Sequence, residues 1–453
     1  MSAIEVNLTL RWGPVTSLAR KAAIPVFIFV AAFLAYYLSG FLSDGLLGFL
    51  SDGKPVPWCG GDRVSPGCWY QHHIYLADAI LNGSLDVATT EIPDWYQDVV
   101  PVDGSKYLPF PPGPALLMMP FVAIWGTDFY QIYFSMALGA ANVVLFWYLL
   151  GLLNISRTTK LLLVPFFALG TAHFYSATTG TVWFYNHVAA VFFLFLALIF
   201  LFKRASPIVP AVFLGFAYLC REPTILAAPF FLYWMVRQRH PSILSKEALL
   251  NRQTLREVAL FGGTLVPFVA FFFWYNIARF DGPLDTGYDV IRNGYVGMGL
   301  RYSFYLDQFP EGPHFNLFDV RNIPLHLYTI FLMPPEFFPD WSVFRPSWYG
   351  MSVLLTSPAF IFAALVKRND VLKPASWLAI ALISVPLLLH WTQGWVQFGY
   401  RFALDFMPFL LILTAFGFDD HTSPGARRIQ IALVAVAIVA GIWGRYWANE
   451  LGW

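Results

Sequence analysis

The sequence predicts an all-α polytopic membrane protein, with about eleven transmembrane helices and one re-entrant or interfacial helix. Three observations predict it. Of 453 residues, 58% are hydrophobic and only 12% charged, where soluble domains carry about 25% charge. Apolar runs recur from residue 22 to the end, and crossing the ~30 Å core of a bilayer takes about 20 helical residues. The charges nearly cancel, at net +1, yet they separate by side once the runs are threaded back and forth. A disordered chain and an ordinary soluble enzyme are excluded. The balanced charge shows no footprint for nucleic acid.

The expected spans are 22–39, 130–152, 159–177, 183–202, 207–220, 223–236, 258–277, 347–366, 374–390, 403–418 and 429–447. Segment 113–126 is equally apolar but only about 14 residues long, which suits a re-entrant piece better than a crossing. Charge supports that choice. With 113–126 not crossing, 17 of the 28 basic residues fall on one side, with six of the 27 acidic ones. They include Arg20/Lys21, Arg157/Lys160, Lys203/Arg204, Lys367/Arg368/Lys373, Arg427/Arg428 and the basic loop 237–257. The positive-inside rule places that side in the cytoplasm. The N-terminus is then inside, and the C-terminus and any site built on the acidic side are outside. Arg20 and Lys21 precede the first span as in a signal peptide. No clear small-residue cleavage site follows, so the span is expected to stay as an anchor in the cytoplasmic membrane.

The chain is expected to form a single integral-membrane domain over 1–453, with two long outer loops, 40–129 and 278–346. Loops of that length are uncommon unless they are functional. Cys59 and Cys68, in the first, are expected to pair as a disulfide in an oxidising compartment. Residues 69–87 read as an amphipathic interfacial helix ended by Asn82-Gly83. The prolines of Lys106–Pro114 then prevent regular structure.

Candidate chemistry follows from polar residues in or beside apolar segments. His72 and His73 are adjacent, so on a helix they point about 100° apart; one of them, not both, is a candidate base or metal ligand. Asn186 and His187 open a span, Arg221 and Glu222 form a tight turn, and Arg401 and Asp405 stand four apart on an expected helix face where they could pair. Guanidinium groups bind phosphate in a bidentate fashion, as a phosphate-bearing lipid would require. Asp281, Asp285 and Tyr288 follow the span ending near 277. For Asp281 a capping role comes first; Asp285 could bind a metal or sugar hydroxyls, or only cap a turn. No P-loop, GxGxxG, HExxH or CxxC signature occurs in usable context.

Four segments carry a resemblance: YLADAILNGSLDV (75–87), KYLPFPPGPALLMMPF (106–121), YNIARFDGPLDTGY (275–288) and QFGYRFALDFMPFL (397–410), with Arg221-Glu222-Pro223 as a weaker fifth. Together they resemble the GT-C superfamily of integral-membrane glycosyltransferases, in the branch of protein O-mannosyltransferases and lipid A aminoarabinose transferases. The resemblance implies a GT-C-like fold, a polyprenyl-phosphate sugar donor, a glycan, lipid or protein acceptor, and inverting transfer on the outer face. It implies Arg401, Arg221 and Lys106 as donor-phosphate contacts. The candidates at sugar and acceptor are Asp285, Tyr288, Asn186, His187 and Tyr107. Three positions depart from the family pattern. Gln71-His72 stands where an acidic pair is usual, Asn186-His187 where an acidic residue is common, and Phe110 where many relatives have Lys. The base therefore stays open among His72, His73, Asp62 and Asp78, and a divalent metal stays open as a cofactor. Two alternatives belong to other classes: a transporter or flippase for an envelope precursor, which should show inverted repeats, and a non-catalytic scaffold subunit of the same fold.

Overall fold

The computed structural model describes residues 14–41, 70–243, 245–297, 316–338 and 343–451. Its main elements are α1 (Pro14–Leu38), α2 (His72–Leu81), the hairpin β1–β2 (Val100–Val102, Ser105–Tyr107), α3 (Gly113–Trp125), α4 (Gln131–Leu152), α5 (Arg157–Leu169), α6 (Ala172–Thr179), α7 (Val182–Phe202), α8 (Ile208–Cys220), α9 (Ala228–Arg237), α10 (Arg252–Ile277), α11 (Tyr288–Gly297), α12 (Ile323–Phe331), the hairpin β3–β4 (Glu336–Phe338, Val343–Arg345), α13 (Leu372–Leu389), α14 (Met407–Asp420) and α15 (Pro424–Leu451). Both hairpins are antiparallel pairs of three-residue strands. The fold is a helical bundle with these two hairpins in the long loops.

Among the described residues, six helices are long and apolar enough to cross a membrane: α4, α7, α10, α13, α15, and α14 together with the 3₁₀ turn before it. The pair α5–α6 would be a seventh. The expectation of eleven spans divides here. Segment 159–177 is bent by 44° between α5 and α6, where Gly170 ends one helix and the Thr171 hydroxyl accepts from the His173 amide to start the next. Segment 223–236 begins as a 3₁₀ turn, Glu222–Ala227, before α9. Segment 347–366 is not one helix. It is Val353–Thr356 and Ile361–Ala364, joined through a turn at Pro358, whose ring nitrogen has no hydrogen to donate. Helices α3 and α8 have 13 residues each, about 20 Å at 1.5 Å per residue, so neither covers the ~30 Å core alone. The expected span 207–220 is a shorter apolar helix than a full crossing needs.

Equally apolar helices occupy different places. The apolar window of α7 is 83% buried and that of α10 only 22%. A helix apolar on all sides is either a core element or one facing lipid, and these are the two cases. Side chains such as Val266, Trp274, Ile431 and Val439 stand exposed on α10 and α15, which is costly in water and neutral in lipid. Small residues let helices approach closely. Gly215 on α8 faces the ring of Phe268 on α10, and Gly441 on α15 faces the carbonyl of Leu169 on α5; a Cβ at either position would overlap its neighbour.

The described part of the first long loop folds onto this bundle. Helix α2 starts at His72 and ends at Asn82, with Gly83 in the left-handed region at φ +76°. Gly113 lets the start of α3 lie against the end of α8, where any side chain would strike Leu219 and Cys220. Arg279, buried just past α10, closes the assembly. Its guanidinium donates to the carbonyl of Leu108, to Asn276 Oδ1 and to the carbonyl of Tyr275. The segment before α3 is thus tied to the end of α10.

Candidate functional site

The ends of the helices that charge assigns to one side of the membrane enclose a cavity of about 1010 Å³. Thr179 at the end of α6, Asn186 and His187 in the first turns of α7, Arg221 after α8, Phe272 near the end of α10, Leu387 near the end of α13 and Arg401 before α14 all line it. The first loop contributes Tyr70, Gln97, Asp98 and Phe110, and the second contributes Leu284, Tyr288 and Asp289. Ile225, Leu226, Phe272, Pro386 and Leu387 add apolar lining, and Asp98, Arg221, Glu222, Asp289 and Arg401 add charged lining.

Two arginines in this cavity differ. Arg221 is clamped on Asp405, with Nε 3.1 Å and Nη2 2.9 Å from Oδ2. His187 Nδ1 donates to the other carboxylate oxygen at 2.7 Å. Asp405 is fully buried and neutralises Arg221. Arg401, also buried, donates through Nη1 to the carbonyl of Trp395 at 2.9 Å. Its guanidinium lies over the rings of Phe184 and Phe402, at 4.8 and 5.4 Å. Among the described residues it has no carboxylate within ion-pair distance, and its Nε has no partner. The expected pairing of Arg401 with Asp405 does not form because residues 401–406 are a 3₁₀ turn. At three residues per turn, positions four apart point about 120° away from each other. Arg221, at its tight turn, takes Asp405 instead, 184 residues away.

The structure therefore brings Asn186, His187, Arg221, Tyr288 and Arg401 to one cavity, with Tyr288 pushed above the usual phenol range by burial and then by the Asp98 charge. The other candidates lie elsewhere. His72 and His73 are fully buried behind the cavity wall. His72 Nε2 donates to the carbonyl of Gln97 at 2.8 Å, and His73 Nε2 bonds Asn186 Oδ1. Burial lowers His72 to about 4 and His73 to about 3, so both are neutral struts near pH 7. Asp78 sits on α2 near Asn82. Lys106 is half exposed and bonds Asp94 at 2.5 Å. Tyr107 packs edge-on to Phe280. Asp285 accepts from the Gly287 amide at 2.8 Å, a turn cap. Asp62, Cys59 and Cys68 lie outside the described residues.

Asp98 is the group that pattern reasoning missed. It sits between α2 and β1, with φ +56°, a left-handed conformation that Asp tolerates better than most residues. Trp183 Nε1 donates to its Oδ2 at 2.6 Å. Its neighbour Gln97 is held by His72. No periodicity marks it; the one signal is a carboxylate among aromatics in DWYQD. Among the described residues no three His, Cys, Asp or Glu side chains converge to hold a metal.

No family model matches the chain, and no curated protein matches it. Among solved structures it is similar to the archaeal oligosaccharyltransferase AglB from Archaeoglobus fulgidus, solved with an inhibitory peptide and a dolichol-phosphate. The two share 14% identity with a TM-score of 0.46 over 95% of this chain and 56% of that one. The chain thus spans little more than half the length of that protein.

Proposed function

We propose that the protein is a glycosyltransferase that moves a sugar from a polyprenyl-phosphate donor to a hydroxyl of a glycan, lipid or protein acceptor, on the outer face of the membrane. The observation that carries this reading is Arg401, a buried cation with no carboxylate within ion-pair distance among the described residues, in a cavity whose lining is partly apolar. Burying a cation without an anion is costly, and an anionic ligand restores the balance. A phosphate carrying a hydrocarbon chain suits both kinds of lining. The phosphate meets Arg401 and the remaining Nη1 of Arg221, and the chain lies along Ile225, Phe272 and Leu387. The orientation rests on charge: the basic segments lie at the opposite ends of the helices that line the cavity.

Asp98 takes the base role in this reading. It receives the proton of the acceptor hydroxyl as the oxygen attacks the anomeric carbon. The bond from that carbon to the phosphate oxygen breaks, its electron pair stays on the phosphate, and configuration inverts. Trp183 aims the carboxylate, and the arginines hold charge where it develops, which is where electrostatic catalysis acts. His187 and Asp405 keep Arg221 in place.

The test is transfer by the purified protein in lipid nanodiscs. It is offered short-chain polyprenyl-phosphate hexoses and pentoses, and release of the prenyl phosphate is followed. The expected result is release from at least one donor, lost in Arg401→Ala. Absence of release from every donor, with or without an envelope extract as acceptor source, overturns the reading.

A further inference from the structure

His390 closes α13 and lines the cavity. Its Nδ1 lies 2.9 Å from the carbonyl of Thr392. A carbonyl only accepts, so Nδ1 carries the hydrogen. The Thr392 amide stands 3.4 Å from the same nitrogen, a much weaker approach that leaves the assignment with the carbonyl. A neutral imidazole has one hydrogen, and here it is on Nδ1. Nε2 is therefore a bare lone pair. It has no protein partner among the described residues, and the ring faces the cavity.

The ring is also fixed. Its own backbone carbonyl accepts from His326 Nε2 at 2.8 Å, and His326 Nδ1 in turn accepts from the Tyr400 hydroxyl at 2.9 Å. Tyr400 immediately precedes Arg401, so one buried histidine on α12 ties together the backbone of His390 and the approach to Arg401. Phe402 packs between the groups. Its ring centroid is 5.8 Å from that of His390, 5.5 Å from the Arg221 guanidinium and 5.4 Å from that of Arg401. His390 thus stands one aromatic ring away from both candidate phosphate contacts, presenting an acceptor where they present donors.

We propose that His390 Nε2 accepts a hydrogen bond from a hydroxyl of the transferred sugar, making it the residue that distinguishes a sugar-bearing lipid phosphate from a bare one. The inference rests on the reading of the cavity as a lipid-phosphate site. An acceptor-only group beside two guanidiniums has nothing to offer the phosphate oxygens, which also only accept. A sugar attached to that phosphate brings O–H donors into the same space. A site built to pair a ligand hydroxyl rejects ligands that lack it, because its own polar group is then left unsatisfied.

The test compares two ligands of equal charge by equilibrium binding to the full-length protein in nanodiscs: farnesyl methyl phosphate, and farnesyl-phosphoryl hexoses (mannose, glucose, galactose). Wild type is expected to bind at least one hexose diester about tenfold or more tighter than the methyl diester. His390→Phe keeps the ring packing and is expected to erase that preference while binding the methyl diester as before. His390→Gln restores an acceptor and is expected to recover most of the preference. Arg401→Ala is expected to weaken both ligands alike. A preference unchanged in His390→Phe overturns the proposal, as does equal loss of both ligands in that variant or no preference in wild type. If neither ligand binds wild type, the lipid-phosphate reading itself fails, and this inference with it.

Discussion

The segment Arg401–Asp420 carries charge at both ends, and the two ends use it differently. At the far end every carboxylate is a joint. Asp419 accepts from the Ser156 amide and hydroxyl and from the Thr159 hydroxyl, at 2.9, 2.6 and 2.5 Å. Asp420 accepts from the amides of Lys367 and Arg368 and from Arg368 Nε, at 2.8, 2.9 and 2.8 Å. These bonds fasten α14 to the starts of α5 and α13 and use up the carboxylate oxygens. At the cavity end, Asp405 is used up in the same way by Arg221 and His187, but a second arginine is left over. Charge that completes a joint holds the fold, and charge with no protein counterpart in a cavity is available to a ligand.

This contrast breaks most sharply at the groups that face the ligand. Asp98→Asn keeps the Trp183 contact through the amide oxygen but cannot take a proton. Turnover is expected to fall by about 10²–10⁴, with binding of a farnesyl-phosphate diester within twofold of wild type. Arg401→Ala is expected to lower turnover by about 10²–10³, in the range seen when one preorganised charge contact is removed, with a melting temperature no lower than wild type. If Arg401→Ala melts well below wild type, Arg401 is a structural joint like the others and the contrast collapses.

Asp405 tests the other half of the comparison. Asp405→Asn leaves the Arg221 guanidinium buried without its anion, and breaking a buried pair in this way costs about 3–5 kcal/mol. A denaturation series in detergent should show that loss. Asp405→Leu combined with Arg221→Met removes both charges and is expected to recover most of the stability but little of the activity. At the far end, Asp419→Ala removes three hydrogen bonds with exposed or half-buried partners. It is expected to cost about 1–3 kcal/mol with turnover per folded molecule unchanged. A rate defect in Asp419→Ala exceeding its stability defect would show that the two ends are coupled.

How much of this was legible in the sequence follows from the same physics. Apolar length reveals helices, so α4, α7, α10, α13 and α15 coincide closely with expected spans. Breaks set by capping, such as Thr171 and the turn at Pro358, need only a residue or two and escape a hydropathy window. In the cavity, Arg221, Arg401, Asn186, His187 and Tyr288 stood out because a polar group beside an apolar run is conspicuous. Asp98 lies in a loop already rich in acids, where one more carboxylate carries no contrast. The Arg221–Asp405 bond joins positions 184 residues apart, and no local spacing rule predicts it; the rule that was available, pairing at i and i+4, assumed an α-helix where the chain forms a 3₁₀ turn. His390 and His326 carry no contrast of either kind. An isolated histidine at a helix end usually packs, and only the hydrogen bonds around it fix which nitrogen is bare.

The smallest expected effect separates a base from a strut. His72 is neutral in the folded protein, lowered by burial to about 4 from its usual 6.5. The unfolded chain therefore binds a proton there that the folded one does not, and stability falls as pH drops from about 6.5 toward 4. Above 6.5 both states are neutral and the term vanishes. By pH 6 this one group lowers stability by less than about 1 kcal/mol. His72→Phe should reduce the acid slope of stability by about one proton in that window and leave the slope above pH 7 untouched. The same variant loses the bond that holds Gln97, so Asp98 sits less well and turnover should fall severalfold. Because His72 is a strut in this reading, that loss should be the same at every pH from 6 to 9, with the shape of the rate profile kept. A profile that loses its acidic limb in His72→Phe would make His72 the proton acceptor and reduce Asp98 to its neighbour.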